Sequence, residues 1–139
     1  MVNTAWLLDT NIVSEATKEV CNANVLLNLS RYEAEIALPS VVLHELRYGW
    51  LKMRAGKKKD AIGHYLQTVV SVLPVFDYDA RAARVHAQLR AESEAAGKPL
   101  PFVDGQIAGI AIANGLTLVT RNTKDFANIS SLQLTNWFE

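Results

Sequence analysis

The sequence predicts an α/β fold in three layers, with a central, mainly parallel sheet of four to five strands between helices. Three observations predict it. Short apolar runs such as "WLLD" (Trp6 to Asp9), "EIALPS" (Glu35 to Ser40) and "LTLVT" (Leu116 to Thr120) have the length of strands. Longer stretches with apolar residues at helical spacing alternate with them almost throughout. Each parallel crossover needs a dozen or more residues, and this alternation of strand and helix supplies them.

The elements follow in order. "WLLD" reads as a buried strand that ends in an acid, and "NIVSEAT" and "ANVLLNLS" as helical. "EIALPS" is a second strand, with Ser40 as N-cap for the helix "VVLHELRYGWLKM", whose apolar face holds Leu43, Leu46, Trp50 and Met53. "AGKKKD" (Ala55 to Asp60) reads as a polar connection, "AIGHYLQTVVSVL" as a helix and "PVF" as a short strand. Asp79 then starts a helix with Ala82, Val85, Leu89 and Ala96 near one face, stopped by "GKPLP". "PFVDGQIAGIAIANG" is the next helix, with Asp104 at its entrance and Gly115 as its C-terminal cap. "LTLVT" is a strand, "RNTKDF" a polar turn, and "LQL" marks a last strand.

Composition bounds the function. At 139 residues with no repeat or linker, residues 1–139 are expected to form one domain. Lys and Arg balance Asp and Glu at fourteen each, which argues against coating nucleic acid by bulk attraction. Recognition of a nucleic acid must then rest on local sites. Cys21 is the only cysteine, so neither an internal disulfide nor a cysteine zinc cluster is available. The N-terminus lacks the pattern of a secretion signal, and no apolar run approaches the ~20 residues that span a bilayer. A soluble, cytoplasmic protein is the expectation.

In open α/β sheets the ligand site lies beyond the carboxyl ends of the strands. The acids gather at that edge. Asp9 ends the first strand, Glu45 lies in the first turns of the helix after the second, Asp104 opens a later helix, and Asn122 and Asp125 follow "LTLVT". Two carboxylates at about 4–5 Å repel by about 3–4 kcal/mol at an effective dielectric near 20. Three or four together either shift their pKa values upward or call for a cation. A hard, oxygen-seeking ion such as Mg²⁺ or Mn²⁺ answers that need, and it polarises a phosphate and acidifies a bound water. The pattern points to metal-assisted phosphodiester hydrolysis.

Four segments carry a resemblance: "LLDTNIVSE" (Leu7 to Glu15), "SVVLHELRYG" (Ser40 to Gly49), "GKPLPFVDGQIAGIAIANGLTLVTRNTKDF" (Gly97 to Phe126) and the terminal "LTNWF". In this order, over nearly the whole chain, they resemble the PIN-domain ribonucleases, and within them the VapC-type toxins of bacterial toxin–antitoxin pairs. The resemblance implies an acidic Mg²⁺ or Mn²⁺ site in which Asp9 and Asp104 are ligands and Glu45 holds metal-bound water or a second ion. The fourth family position falls in "TRNTKDF": some members carry an acid where this chain has Asn122, and Asp125 stands three residues on. Either fits, Asn122 through a neutral oxygen and Asp125 through water. The resemblance further implies a homodimer, a VapB-type antitoxin whose C-terminal segment blocks the site, and structured RNA such as tRNA as substrate.

Other polar residues adjoin these acids. Thr10 and Asn11 follow Asp9, and the Thr10 hydroxyl is placed to orient its carboxylate or a phosphate; Thr120 and Arg121 sit at the mouth, where Arg121 would meet an RNA phosphate. Ordinary turn and cap chemistry is the competing account for all four. His44, His64 and His86 lack metal-ligand spacing, and His44 reads as structural. Lys57–Lys59 read as a solvated run, with an RNA track alongside Arg47, Arg54 and Arg121 as the less favoured account. Two further functions compete. An aspartyl phosphotransferase would need a second acid where Asn11 stands, which counts against it. A degenerate PIN domain acting as a non-catalytic scaffold is opposed by the retained Asp9, Glu45 and Asp104.

Overall fold

The computed structural model describes residues 4–139. Five strands, β1 (Trp6–Leu8), β2 (Ile36–Pro39), β3 (Val75–Phe76), β4 (Thr117–Val119) and β5 (Leu134–Thr135), form one sheet in the order β3-β2-β1-β4-β5. Every pairing is parallel. Seven α-helices connect them: α1 (Thr10–Glu15), α2 (Ala23–Arg31), α3 (Ser40–Leu51), α4 (Lys57–Thr68), α5 (Ala80–Ala95), α6 (Phe102–Ala113) and α7 (Thr123–Phe126), with a 3₁₀ turn at Val70–Val72.

The central strands read as apolar runs because both their faces are covered. Leu7, Leu8, Ala37, Leu38, Leu118 and Val119 are all inaccessible to solvent. Beside them α6 is apolar on nearly every side, with Ile107, Ala108, Ile110 and Ala111 buried, the mark of a helix inside a core rather than on it. It ends as expected at Gly115 (φ 65°), where the Leu116 N–H reaches the Ala111 carbonyl at 2.9 Å and the Gly115 N–H reaches Ile112 at 3.2 Å. Those two bonds make a Schellman cap, which needs the left-handed residue that glycine supplies. No helix among the described residues is long and apolar enough to cross a membrane.

Several boundaries differ from the sequence expectation. Ser40 is the first residue of α3, not its cap; Pro39 holds the cap position, and the Ser40 hydroxyl accepts from the Tyr78 N–H at 3.3 Å. The lysine run is helical from Lys57 onward, so the connection is shorter than "AGKKKD". The polar turn "RNTKDF" contains the one-turn helix α7, and the last strand starts two residues after "LQL" begins. Short polar segments follow tertiary contacts that local propensity does not encode.

This topology fixes where a site can be. From β1 the chain steps outward through β2 to β3, then returns across the sheet to β4 beside β1 and continues to β5. The strand order therefore reverses between β1 and β4, and the crevice beyond their carboxyl ends is where such sheets bind ligands. Asp9 follows β1 directly, and Thr120 to Asn122 follow β4.

Candidate active site

Asp9 is held rigidly at this crevice. It is buried, at 8% exposure, and its Oδ1 accepts the Thr10 N–H at 2.8 Å as the cap of α1. Its Oδ2 accepts the Thr120 hydroxyl at 2.8 Å, while its own N–H donates to the Val119 carbonyl at 2.9 Å. Thr120 is wholly buried, and its hydroxyl also accepts the Asn122 N–H at 3.1 Å. One threonine thus ties the end of β1 to the turn after β4. Each carboxylate oxygen keeps a second lone pair for another partner.

The other acids face Asp9. Burial, then the charges of Asp9, Asp125 and Glu45, push the Asp104 carboxyl up to about 6. Glu45 is also raised, by partial burial of its carboxyl and by Asp9, while Thr10 and His44 pull it the other way. The structure therefore brings Asp9, Glu45 and Asp125 each within electrostatic reach of Asp104, and Asp9 within reach of Glu45. Asp104 is the third residue of α6, which starts two residues before the entrance that the sequence suggested; Pro101 holds the cap position, and no side-chain hydrogen bond caps the helix. Of the two candidates after β4, Asp125 adds to the charge that Asp104 feels, while the neutral Asn122 donates its backbone N–H to the Thr120 hydroxyl; both stay candidates.

The neighbouring polar residues divide. Asn11 Oδ1 accepts the Arg121 N–H at 3.1 Å, a second tie between the β1 and β4 ends. The Arg121 guanidinium lies 4.4 Å from the Phe138 ring centroid, so it is stacked on the C-terminal segment. His44 is exposed rather than structural, and with Glu45, Val103 and Gln106 it lines a shallow hollow beside the acids. Arg47 and Lys59 both lie over the Trp50 ring between α3 and α4, while Lys57 and Lys58 are exposed.

One contributor escaped the sequence reading. His86 of α5 is buried, at 3% exposure, and its Nδ1 lies 2.8 Å from the Tyr78 hydroxyl. Its ring covers Gly105, where an added Cβ would sit 2.3 Å from Nε2. The first turn of α6, which carries Asp104, rests on this imidazole. The signal was present as glycines at 105 and 109, because a glycine inside a helix usually marks a close approach.

A hard cation fits these residues through water more than by direct grip. Among the described residues no three His, Cys, Asp or Glu side chains stand close enough to hold an ion between them. Mg²⁺ commonly takes only one or two carboxylates and keeps several waters, so facing carboxylates with space between them suit it. The buried Thr10 hydroxyl, next in sequence to Asp9, meets no partner at full hydrogen-bond geometry but lies near enough to Glu45 to hold that carboxyl down, and a bound water would complete its hydrogen bonding.

A model of the PIN domain matches residues 6–132. The chain belongs to the PIN-domain family. The tRNA(fMet)-specific endonuclease VapC of Shigella flexneri is 35% identical over 132 residues, covering 95% of this chain and 97% of that one. Among solved structures, FitAcB from Neisseria gonorrhoeae aligns with a TM-score of 0.87 at 29% identity, over 96% of this chain and 99% of that one. VapBC2 from Rickettsia felis, bound to a DNA fragment from their promoter, aligns at 0.82 with 35% identity, over 96% and 99%. Within the PIN family the chain groups with the VapC endoribonucleases. The five-stranded parallel sheet is the family's fold, as the sequence predicted.

Proposed function

We propose that this PIN domain, spanning residues 1–139, is the Mg²⁺-dependent endoribonuclease toxin of a toxin–antitoxin pair and cuts structured RNA, tRNA in particular. The observation that carries it is that Asp9, Glu45 and Asp125, from three separate segments, all act on the Asp104 carboxyl, with Asp9 directly after β1 where the strand order reverses. The relatives named as VapC ribonucleases and as a tRNA(fMet)-specific endonuclease support the substrate class. The structures of VapBC and FitAB complexes support a VapB-type antitoxin as partner. A homodimer working in the cytoplasm completes the reading.

Asp9 and Asp104 would hold the cation, with Glu45 and Asp125 reaching it through water. When bound, Mg²⁺ or Mn²⁺ supplies charge to polarise the scissile phosphate and acidify a water for in-line attack. The protein's own part is orientation. The Thr120 hydroxyl and the Thr10 N–H fix the Asp9 carboxylate, and the His86 ring beneath Gly105 fixes the turn that carries Asp104. Glu45, raised by burial and then by Asp9, is the carboxylate that would accept a proton from a water held at the site. Net neutrality suits an enzyme that reads RNA shape and loops over one that grips any nucleic acid.

The test uses antitoxin-free protein and Asp104→Asn, each incubated with total tRNA and Mg²⁺, Mn²⁺ or EDTA, with the fragments mapped. Discrete cuts that vanish with EDTA and with the substitution are expected. No cutting of any RNA by folded protein under either metal would replace this reading with that of a non-catalytic binding module.

A further inference from the structure

A cavity of about 680 Å³ lies where the end of α5, the segment 97–101 and α7 meet, and Asp125 forms part of its wall. Its size is that of a small-ligand pocket. The lining is mixed: Leu89, Leu100 and Ile129 are apolar, Ser93, Asn128 and Ser130 offer hydrogen-bonding groups, and Lys98 and Lys124 are cationic. Glu92 and Asp125 share the wall, yet the ion pairs among the described residues are Glu15–Lys18 and Arg90–Glu94, so neither lysine is spent on an acid.

Because the chain has no net charge, any grip on a polynucleotide must come from cations placed beside the acids. Arg121 is stacked on Phe138, and Arg47 and Lys59 on Trp50. Lys124, by contrast, directly precedes Asp125, and Lys98 shares the cavity with it. A polynucleotide cut at the acids has to leave them on some side, and this side offers an apolar lining for a base, hydroxyls and an amide for its edge or the ribose, and two free cations for phosphates.

We propose that this cavity binds an unstacked nucleotide of the RNA substrate next to the scissile linkage, with Lys98 and Lys124 on the flanking phosphates. The proposal rests on the nuclease reading and adds a subsite that selects RNA with an extruded base. Asp125 stands at the border between this cavity and the acids, which gives it a place in both.

The experiment takes the tRNA that the wild-type protein cuts and measures kcat and KM for wild type, Lys98→Ala, Lys124→Ala and the exposed-loop variant Ser130→Trp. The three substitutions are expected to raise KM about tenfold with kcat within about twofold, the size of losing one good contact. Each lysine lost should also reduce the salt dependence of log KM by a slope of about 0.7, the value for one phosphate contact on a single strand. Abasic replacements around the cut should reveal one position that weakens wild type but weakens Ser130→Trp no further. Wild-type cutting with KM and salt slope unchanged in all three variants overturns the proposal alone. The same holds if the variants lose antitoxin affinity while KM stays put. Failure of the wild type to cut RNA with either metal overturns the nuclease reading and the subsite together.

Discussion

Burial, and then the neighbouring acids, make the charge of Asp104 unfavourable, and this has a measurable sign. Its carboxyl is raised from the ordinary 3.8 to about 6, so the metal-free folded state binds a proton that the unfolded state has released across that window. Stability therefore falls as pH rises from about 4 to about 6, and the full penalty persists above it. Asp104→Asn removes the charge, and thermal melts in EDTA should show the variant with the higher Tm at pH 7.5. That advantage should shrink as pH is lowered towards 4. Thr120→Val removes the hydroxyl that fixes Asp9 and leaves the Asn122 N–H without its acceptor. It should weaken metal affinity by about 10–100-fold, as loss of a ligand's hydrogen-bond partner typically does, while Thr120→Ser recovers most of it; calorimetry with Mn²⁺ reads both. The sequence placed Asp9, Glu45 and Asp104 at one edge from their positions after strands and at helix starts. It left Asn122 and Asp125 both open, because they stand at the cap position and inside the one-turn helix α7, which local propensity does not encode.

At the scale of elements, the α5–α6 pair sets the position of Asp104. A side chain at 105 would run into the His86 ring, and at 109 a Cβ would meet the Ala82 carbonyl at 2.7 Å. Gly105→Ala should therefore destabilise the protein by about 1–3 kcal/mol, the usual cost of overpacking, despite the better helix propensity of alanine. His86→Ala in the same chain should relieve part of that loss, so the double variant loses less than the sum of the single ones in denaturant titrations. Long periodic segments such as Ala80–Ala95 and Phe102–Ala113 were legible because apolar spacing and caps agree: Asp79 Oδ1 accepts the Ala82 N–H at 3.0 Å, as its sequence position implied. Ser40, the lysine run and the start of α6 were not, since each depends on a contact from elsewhere. The Tyr78 N–H claims the Ser40 hydroxyl, and Lys59 folds onto Trp50.

For the whole molecule, the order β3-β2-β1-β4-β5 explains why acids so far apart in sequence share one crevice. The strand order reverses between β1 and β4, and Glu45 in the second turn of α3 and Asp104 in the first turn of α6 both feel the Asp9 charge at the end of β1. A net charge of zero is a total that composition alone could not resolve into local sites. The central claim is that these carboxylates are kept together to hold a cation. Its most direct measurement is the binding of Mn²⁺ to antitoxin-free protein, followed by the loss of the free-ion signal in electron paramagnetic resonance at pH 7.5 and at pH 5. Binding by wild type that weakens at least about tenfold in Asp9→Asn and in Asp104→Asn, and weakens at pH 5 as Asp104 takes up its proton, is the predicted result. Equal Mn²⁺ affinity in all three proteins at both pH values would contradict it.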